Sequence, residues 1–408
     1  MNKRLVIILW AIAACLGVAV AAVKLSQSKS TLSTTQRKAG QTLFESLPAA
    51  QISNITIQGA EGSVNLSRKD GNWLVIERDR YPAKTSSVND LIRSLSDLKI
   101  TQAIEAGPSF APRFGIDETS SLAADHGYTI TFKDDSDKQL AKVSLGKTIE
   151  NAASAESPMG AASALGRYIR NHQDDSGFYA VSEMFPSLST EPARWLTEDF
   201  INPEKIKSIT VSLPDKPEPA WQITRESEEA EFKLTGAAAA EVVNQEATAP
   251  LKSIFSYARF EDVLPKDQVA ERSADAGKHT ATLETFDGFT YSINFLPTKV
   301  TPAPPAALSA DSPPPVIDNF LLNFTVTAEL PKERKKEDGE KPEDAETKDE
   351  AFKQRLDTLN KKLSSEKALA DRTFVVTKAL IDPLLKDRAA ITAPAAAPEA
   401  AQGQGNVQ

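Results

Sequence analysis

The feature that most limits what this chain can become is a pattern of residues that occurs twice. Ile52, Ile55 and Ile57 in ISNITI match Ile206, Ile209 and Val211 in IKSITV at one offset, and the period-two apolar positions of both segments predict strands. Val64, Leu66 and Arg68 in VNLSR then find counterparts in Trp221, Ile223 and Arg225 in WQITR. A turn and an aromatic strand follow in each copy, Trp73-Leu74-Val75 in the first and Phe232-Lys233-Leu234 in the second. Leu91, Leu95 and Leu98 lie at the same spacings as Leu251, Phe255 and Ala258, which predicts an amphipathic helix in both copies. Ile100 and Phe260 close these segments. Farther on the match loosens: Tyr128, Ile130 and Phe132 are aligned with Thr280, Thr282 and the strand around Leu283, and second hairpin arms end near Leu145 and Phe295. GRYIR with FYAVSEMF, and LLNFTVTAEL with TFVVTKALIDPLL, each read as paired strands leading into a short helix. A tandem duplication of this kind predicts two similar cores, joined where the polar, proline-containing stretch DFINPEK intervenes.

The expected fold class is therefore α+β, with two tandem repeats of a mainly antiparallel sheet and packed helices. The first repeat is expected over 49–200 and the second over 201–390. The second carries an extra segment, 331–372, that begins with the mixed-charge run KERKKEDGEKPEDAETKDE. Within it Phe352, Leu356, Leu359 and Leu363 recur at helical spacing and form one stripe. Two readings of that stripe stay open, a helix packed on its own domain and a helix that binds a partner. TPAPPAALSADSPPP upstream reads as a proline-rich loop, and the tail 391–408 lacks the apolar content to fold.

Ahead of the repeats, Met1-Asn2-Lys3-Arg4 is followed by 19 uncharged residues, Leu5 to Val23, near the length of a membrane-crossing helix. Residues 1–25 are expected to be a cytoplasmic start and a single transmembrane helix, and 26–48 a polar stalk. Lys3 and Arg4 favour a cytoplasmic N-terminus and an exported, periplasmic body, although Lys24, Lys29, Arg37 and Lys38 weaken the asymmetry. Three fates are open: an uncleaved signal anchor, cleavage at the small-x-small Ala19-Val20-Ala21, and lipidation at Cys15, where Ile12-Ala13-Ala14-Cys15 resembles a lipobox.

With 47 basic and 56 acidic side chains, the formal net charge is −9. That balance offers no broad attraction for phosphates, and no basic tract with interleaved aromatics occurs, so nucleic acid is not an expected partner. Cys15 is the one cysteine, so the exported body has no thiol for a disulfide, a thiolate metal ligand or a nucleophile. Gly146-Lys147-Thr148 invites comparison with a phosphate loop, but the position where that motif needs its first glycine holds Ala141, and the segment reads as a strand end entering a polar loop. His126, His172 and His279 form no HxxxH or HExxH pair, and each is expected in a loop or at a strand edge. No GxSxG elbow is present, and the carboxylates lie mainly in solvated runs such as Asp134-Asp135 and Glu226 to Glu231. Trp73, Trp195 and Trp221 are expected in cores. No residue is assigned to catalysis, to a cofactor or to a metal.

Several of these stretches together resemble one bacterial family. They are ISNITI with NWLVIE, the helix SVNDLIRSLSDLKI, the compact turn Arg113-Phe114-Gly115-Ile116-Asp117, and the run from VSLGK through GRYIR to FYAVSEMF and ARWLTEDF. The family is the domain of unknown function numbered four-three-four-zero, and the resemblance is fullest over residues 50 to 200. The second copy has no RFGID equivalent and carries the charged insertion. Members pair an N-terminal membrane segment with one or more α+β repeats and are often associated with auxiliary components of gliding-type and related ABC transport systems. The resemblance therefore implies a periplasm-facing accessory subunit whose partners are membrane proteins, among them ABC-type transporter components. Three functions follow as expectations: a noncatalytic envelope scaffold or transport accessory; a binding module for an envelope polymer or small ligand in a groove between the repeats; and, more remotely, a hydrolase with dispersed carboxylates.

Overall fold

The computed structural model describes residues 36–394 apart from 121, 123–124, 151–163, 175–176, 215, 217, 239–240, 275–276, 300–318 and 335–340. The expected transmembrane segment, the first part of the stalk, the proline-rich loop, part of the charged run and nearly all of the tail lie outside the described residues. Among the described residues no helix is long and apolar enough to cross a membrane.

The chain divides into two units, Met1–Thr197 and Glu198–Gln408. In the first, alternation of apolar residues produces β1 (Asn54–Gly59), β2 (Gly62–Lys69), β3 (Asn72–Val75) and the short β4 (Tyr81–Pro82). β5 (Ile100–Ala103), β6 (Tyr128–Lys133), β7 (Gln139–Glu150), β8 (Ala164–Asn171) and β9 (Phe178–Val181) complete the sheet. Its order is β4-β3-β2-β1-β6-β7-β8-β9-β5. The second unit has β10 (Ile206–Ser212), β11 (Trp221–Thr224), β12 (Lys233–Leu234), β14 (Asp262–Leu264), β15 (His279–Thr285), β16 (Phe289–Pro297), β17 (Asn319–Ala328) and β18 (Thr373–Thr377). Their order is β12-β11-β10-β15-β16-β17-β18-β14. Without β4, the two orders are the same strand for strand, and each described pairing in them is antiparallel. The α+β, mainly antiparallel architecture thus stands.

The matched apolar positions form equivalent cores. Ile55, Ile57, Val64 and Leu66 are buried in one unit, and Ile209, Val211, Trp221 and Ile223 in the other. In the first unit the helix Thr85–Ser96 covers one side with Val88, Leu91, Ile92 and Leu95, all buried. Each of these aliphatic side chains contributes about 1.5–3 kcal/mol relative to exposure. Trp73, Trp195 and Trp221 are buried as well.

Five details differ from the sequence expectation. The segment aligned with the first helix is not one α-helix in the second unit: a helix at Gln245–Thr248 passes into a 3₁₀ turn at Ala249–Ser253, where Pro250 supplies no amide hydrogen to an α-helical ladder. The alignment of β6 with β15 is off by one residue. Ile57 pairs with Ile130 while Val211 pairs with Ala281, so Ala281 and Leu283 face the core and Thr282 lies on the opposite face. A one-residue slip reverses every side chain of a strand. Gly146-Lys147-Thr148 does not leave the sheet, because β7 continues to Glu150 across a register shift between Leu145 and Thr148.

The stalk ends sooner than position 48. Gly40 and Leu43 donate backbone hydrogen bonds to Ile100 and Leu98, and Leu43 and Phe44 are buried in the first unit, since two adjacent large apolar side chains gain by leaving water. The tail likewise begins later than 391: Ile391 is buried, and β19 (Thr392–Pro394) pairs with β13 (Glu241–Val243).

Candidate functional site

Four of the stretches that carry the family resemblance meet at one place in the first unit. Gly115 has φ +66 and ends the short helix Ala111–Phe114 in a left-handed turn, a conformation that favours glycine. The turn lies directly on β7: a Cβ at Gly146 would fall 2.0 Å from the Phe114 carbonyl oxygen and 2.6 Å from the Ile116 side chain. Arg167 fastens the same point from β8, donating from Nε and Nη2 to the Gly146 carbonyl and from Nη1 to that of Met184. RFGID, VSLGK, GRYIR and SEMF, dispersed along the chain, are thus parts of one staple. Ala106, Ala111 and Ile116 pack with Phe178, joined by Ile104, Phe110, Phe114 and Tyr168, and hold residues 104–116 on the sheet.

Beside the staple lies a cavity of about 390 Å³, lined by Gln58, Gly59, Ala60, Ile116, Glu118, His126, Gly127, Thr129 and Ser144. Thr129 and Ser144 oppose each other on β6 and β7 and are 8% and 1% exposed. Both hydroxyls donate to Glu118 Oε1 at 3.1 Å, and Lys142 Nζ donates to Oε2 at 2.7 Å. Burial raises the pKa of Glu118, but the hydrogen bond and charge of Lys142, with help from His172 and Thr129, outweigh it and leave the carboxyl below its usual range. His172 Nε2 lies 2.8 Å from Ser144 Oγ and 3.5 Å from Glu118 Oε1. Its pKa is lowered to about 4, by burial first and the Arg170 charge next, against the pull of Glu118. The ring is therefore neutral at pH 7.

A serine, a histidine and a carboxylate in contact suggest a hydrolytic triad, but their arrangement differs from one. In a relay the carboxylate holds the ring nitrogen remote from the hydroxyl, whereas here Ser144 and Glu118 both face His172 Nε2. The cluster is arranged as a hydrogen-bonding floor. His126 and His172, isolated in sequence, both reach this region; His279 lies on β15 in the second unit, stacked on Phe295. Among the described residues no group of three or more His, Cys, Asp or Glu could hold a metal. Glu118, Thr129 and Ser144 were not singled out by sequence reasoning. A signal existed for two of them, since Thr129 and Ser144 are polar positions that alternate with core residues on their strands.

The second unit has the same row without the floor. Thr280 and Asn294 oppose each other as Thr129 and Ser144 do, and the hydrogen bonds run Thr280 to Asn294 to Asn323. No residue plays the part of Glu118 among those described there. This unit carries instead the long helix Pro342–Leu369 between β17 and β18. Its C-terminal half is tied down: Glu366 is buried and accepts from Tyr291 Oη at 2.7 Å and the Asn202 amide at 3.1 Å. Lys362 Nζ donates to the Asn202 carbonyl and to Glu204. Toward its N-terminus, Phe352, Leu356 and Leu359 remain half-buried around a hollow of about 200 Å³ shared with Phe286, Gly288 and Pro331, where Arg355 pairs with Asp287.

A family model described as Domain of unknown function (DUF4340) matches residues 73–277, half of the chain, from β3 to the loop before β15. No curated protein and no solved structure matches.

Proposed function

Because the chain belongs to the DUF4340 family, we propose that it is a noncatalytic envelope scaffold or accessory subunit of an ABC-type transport or motility system, whose exported repeats bind partner proteins. The observation that carries this reading is the helix inserted into the second unit. Its apolar stripe is only half covered by its own domain, and it borders a hollow while the neighbouring positions are charged, the pattern of a helix face that docks another protein.

The test is a photo-crosslinkable residue at Arg355, beside the stripe, compared with one at Glu61 on the β1–β2 turn, in intact membranes. Recovery of a defined membrane protein from the first position and not the second is the expected result. Equal, diffuse labelling from both would refute the reading. The proposed address is a single N-terminal span with the body outside the cytoplasm; reporter fusions after Val23 and after Leu385 should both report export, and a cytoplasmic signal from either would overturn it.

A further inference from the structure

We propose that the cavity beneath the 104–127 loop of the first unit is a binding site for a small ligand that presents a protonated amino group. The argument starts from where the protons of its floor go. A hydroxyl has one proton to donate and two lone pairs. Thr129 and Ser144 each spend theirs inside the cluster, directed at Glu118 Oε1 or at one another across 3.0 Å. Ser144 Oγ also meets His172 Nε2 at 2.8 Å, so the lone pairs that remain for a ligand are mainly those of Thr129. His126 lies at the edge of the same space, with its Nε2 against the Ser120 carbonyl oxygen. Glu118 adds a carboxylate, whose Oε1 takes the two hydroxyls and whose Oε2 takes Lys142 from outside the lining, so a ligand donor would share these oxygens.

The cavity thus converges acceptors on one space, with Glu118 as the formal charge among its described lining residues. A ligand group that fills such a space must bring several donors, and an ammonium brings three with a compensating charge. Thr129 and Ser144 are more than nine-tenths buried, so the floor is built into the sheet. The second unit repeats the Thr–polar row as Thr280–Asn294, and among the described residues no carboxylate is hydrogen-bonded to that pair, which supplies an internal control.

Ligand-observed NMR and calorimetry on the full chain, slightly below neutral pH, would compare glucosamine with N-acetylglucosamine, the same ring without the charge. Adding 1,4-diaminobutane distinguishes an alkylamine from an aminosugar as the source of the ammonium. The expected result is saturable binding of at least one amine and none of N-acetylglucosamine. Glu118→Gln should weaken it by about tenfold or more, as for a lost hydrogen bond to a charged group, while Asn294→Ala leaves it unchanged. N-acetylglucosamine binding as tightly as glucosamine, no saturable binding of either amine, or full affinity in folded Glu118→Gln would each overturn the proposal. The N-acetyl comparison needs no variant, so it stands even where a substitution disturbs folding.

Discussion

Glu366 offers the sharpest test of how the inserted helix is held. The residue is 4% exposed. Burial raises its pKa, only partly opposed by the hydrogen bonds from Tyr291 and Asn202 and by Lys362. An acid with a higher pKa folded than unfolded contributes stability that is whole below the unfolded value, about 4.3, and is lost as pH rises through the folded value. Glu366→Gln imitates the protonated group, offering an oxygen to the Asn202 amide and an N–H to Tyr291 Oη. It should be at least as stable as the wild type once pH exceeds the folded pKa, and should lack this loss as pH rises. Glu366→Ala leaves the buried Tyr291 hydroxyl and the Asn202 N–H without their acceptor. At about 1–3 kcal/mol for each unsatisfied group, the cost is about 2–6 kcal/mol. Amide exchange over residues 360–377 reads this locally, and differences between wild type and Glu366→Gln at acidic and alkaline pH cancel the intrinsic exchange rates. Should Glu366→Gln loosen the helix as much as Glu366→Ala, the ionised carboxylate would be the species that holds it, and the reasoning from burial would be wrong.

Gly146→Ala should destabilise the first unit by about 1–3 kcal/mol through overpacking and expose the 104–127 loop to protease, whereas Gly62→Ala, whose Cβ would meet nothing within 4 Å, should leave digestion unchanged. Leu43→Ala should cost about 2–5 kcal/mol in urea unfolding if the end of the stalk is part of the core; a cost below about 1 kcal/mol would show that it is not. His172 has a pKa lowered to about 4 from 6.5, so its contribution is whole above the unfolded value and is lost as pH falls through that window. Wild type should therefore lose stability relative to His172→Gln between those pH values, and parallel urea midpoints would contradict the burial argument.

The duplication was legible because strands declare themselves through alternation, and ISNITI with IKSITV preserves it. Legibility failed where the signal was weak or local. In the β15 segment Ala281 is the inward residue between two threonines, so hydropathy alone did not select the register; the β10 pairing did. Tyr257 takes a left-handed φ of +59 inside the stripe from Leu251 to Ala258 and breaks a pattern that otherwise reads as a helix. Arg68 and Arg225 occupy matching positions, yet Arg68 is exposed while Arg225 is 5% exposed, bonded to the Ile206 carbonyl and stacked between Phe232 and Phe286. Nothing in VNLSR and WQITR distinguishes them, because Phe286 arrives from a distant turn.

Period-two and helical spacing, which depend only on neighbours along the chain, determined by themselves that this protein is α+β, that its strands come in two matching sets, and that the second set carries a charged helical insertion. The tertiary structure decided the strand order common to both sheets and the docking of RFGID onto Gly146. It also decided that Glu118, Thr129, Ser144 and His172 share one polar floor in the first unit while Thr280 and Asn294, among the described residues of the second, bond to Asn323 instead. Those features depend on contacts between residues far apart in sequence, where burial and hydrogen-bond satisfaction, not spacing, set which groups meet.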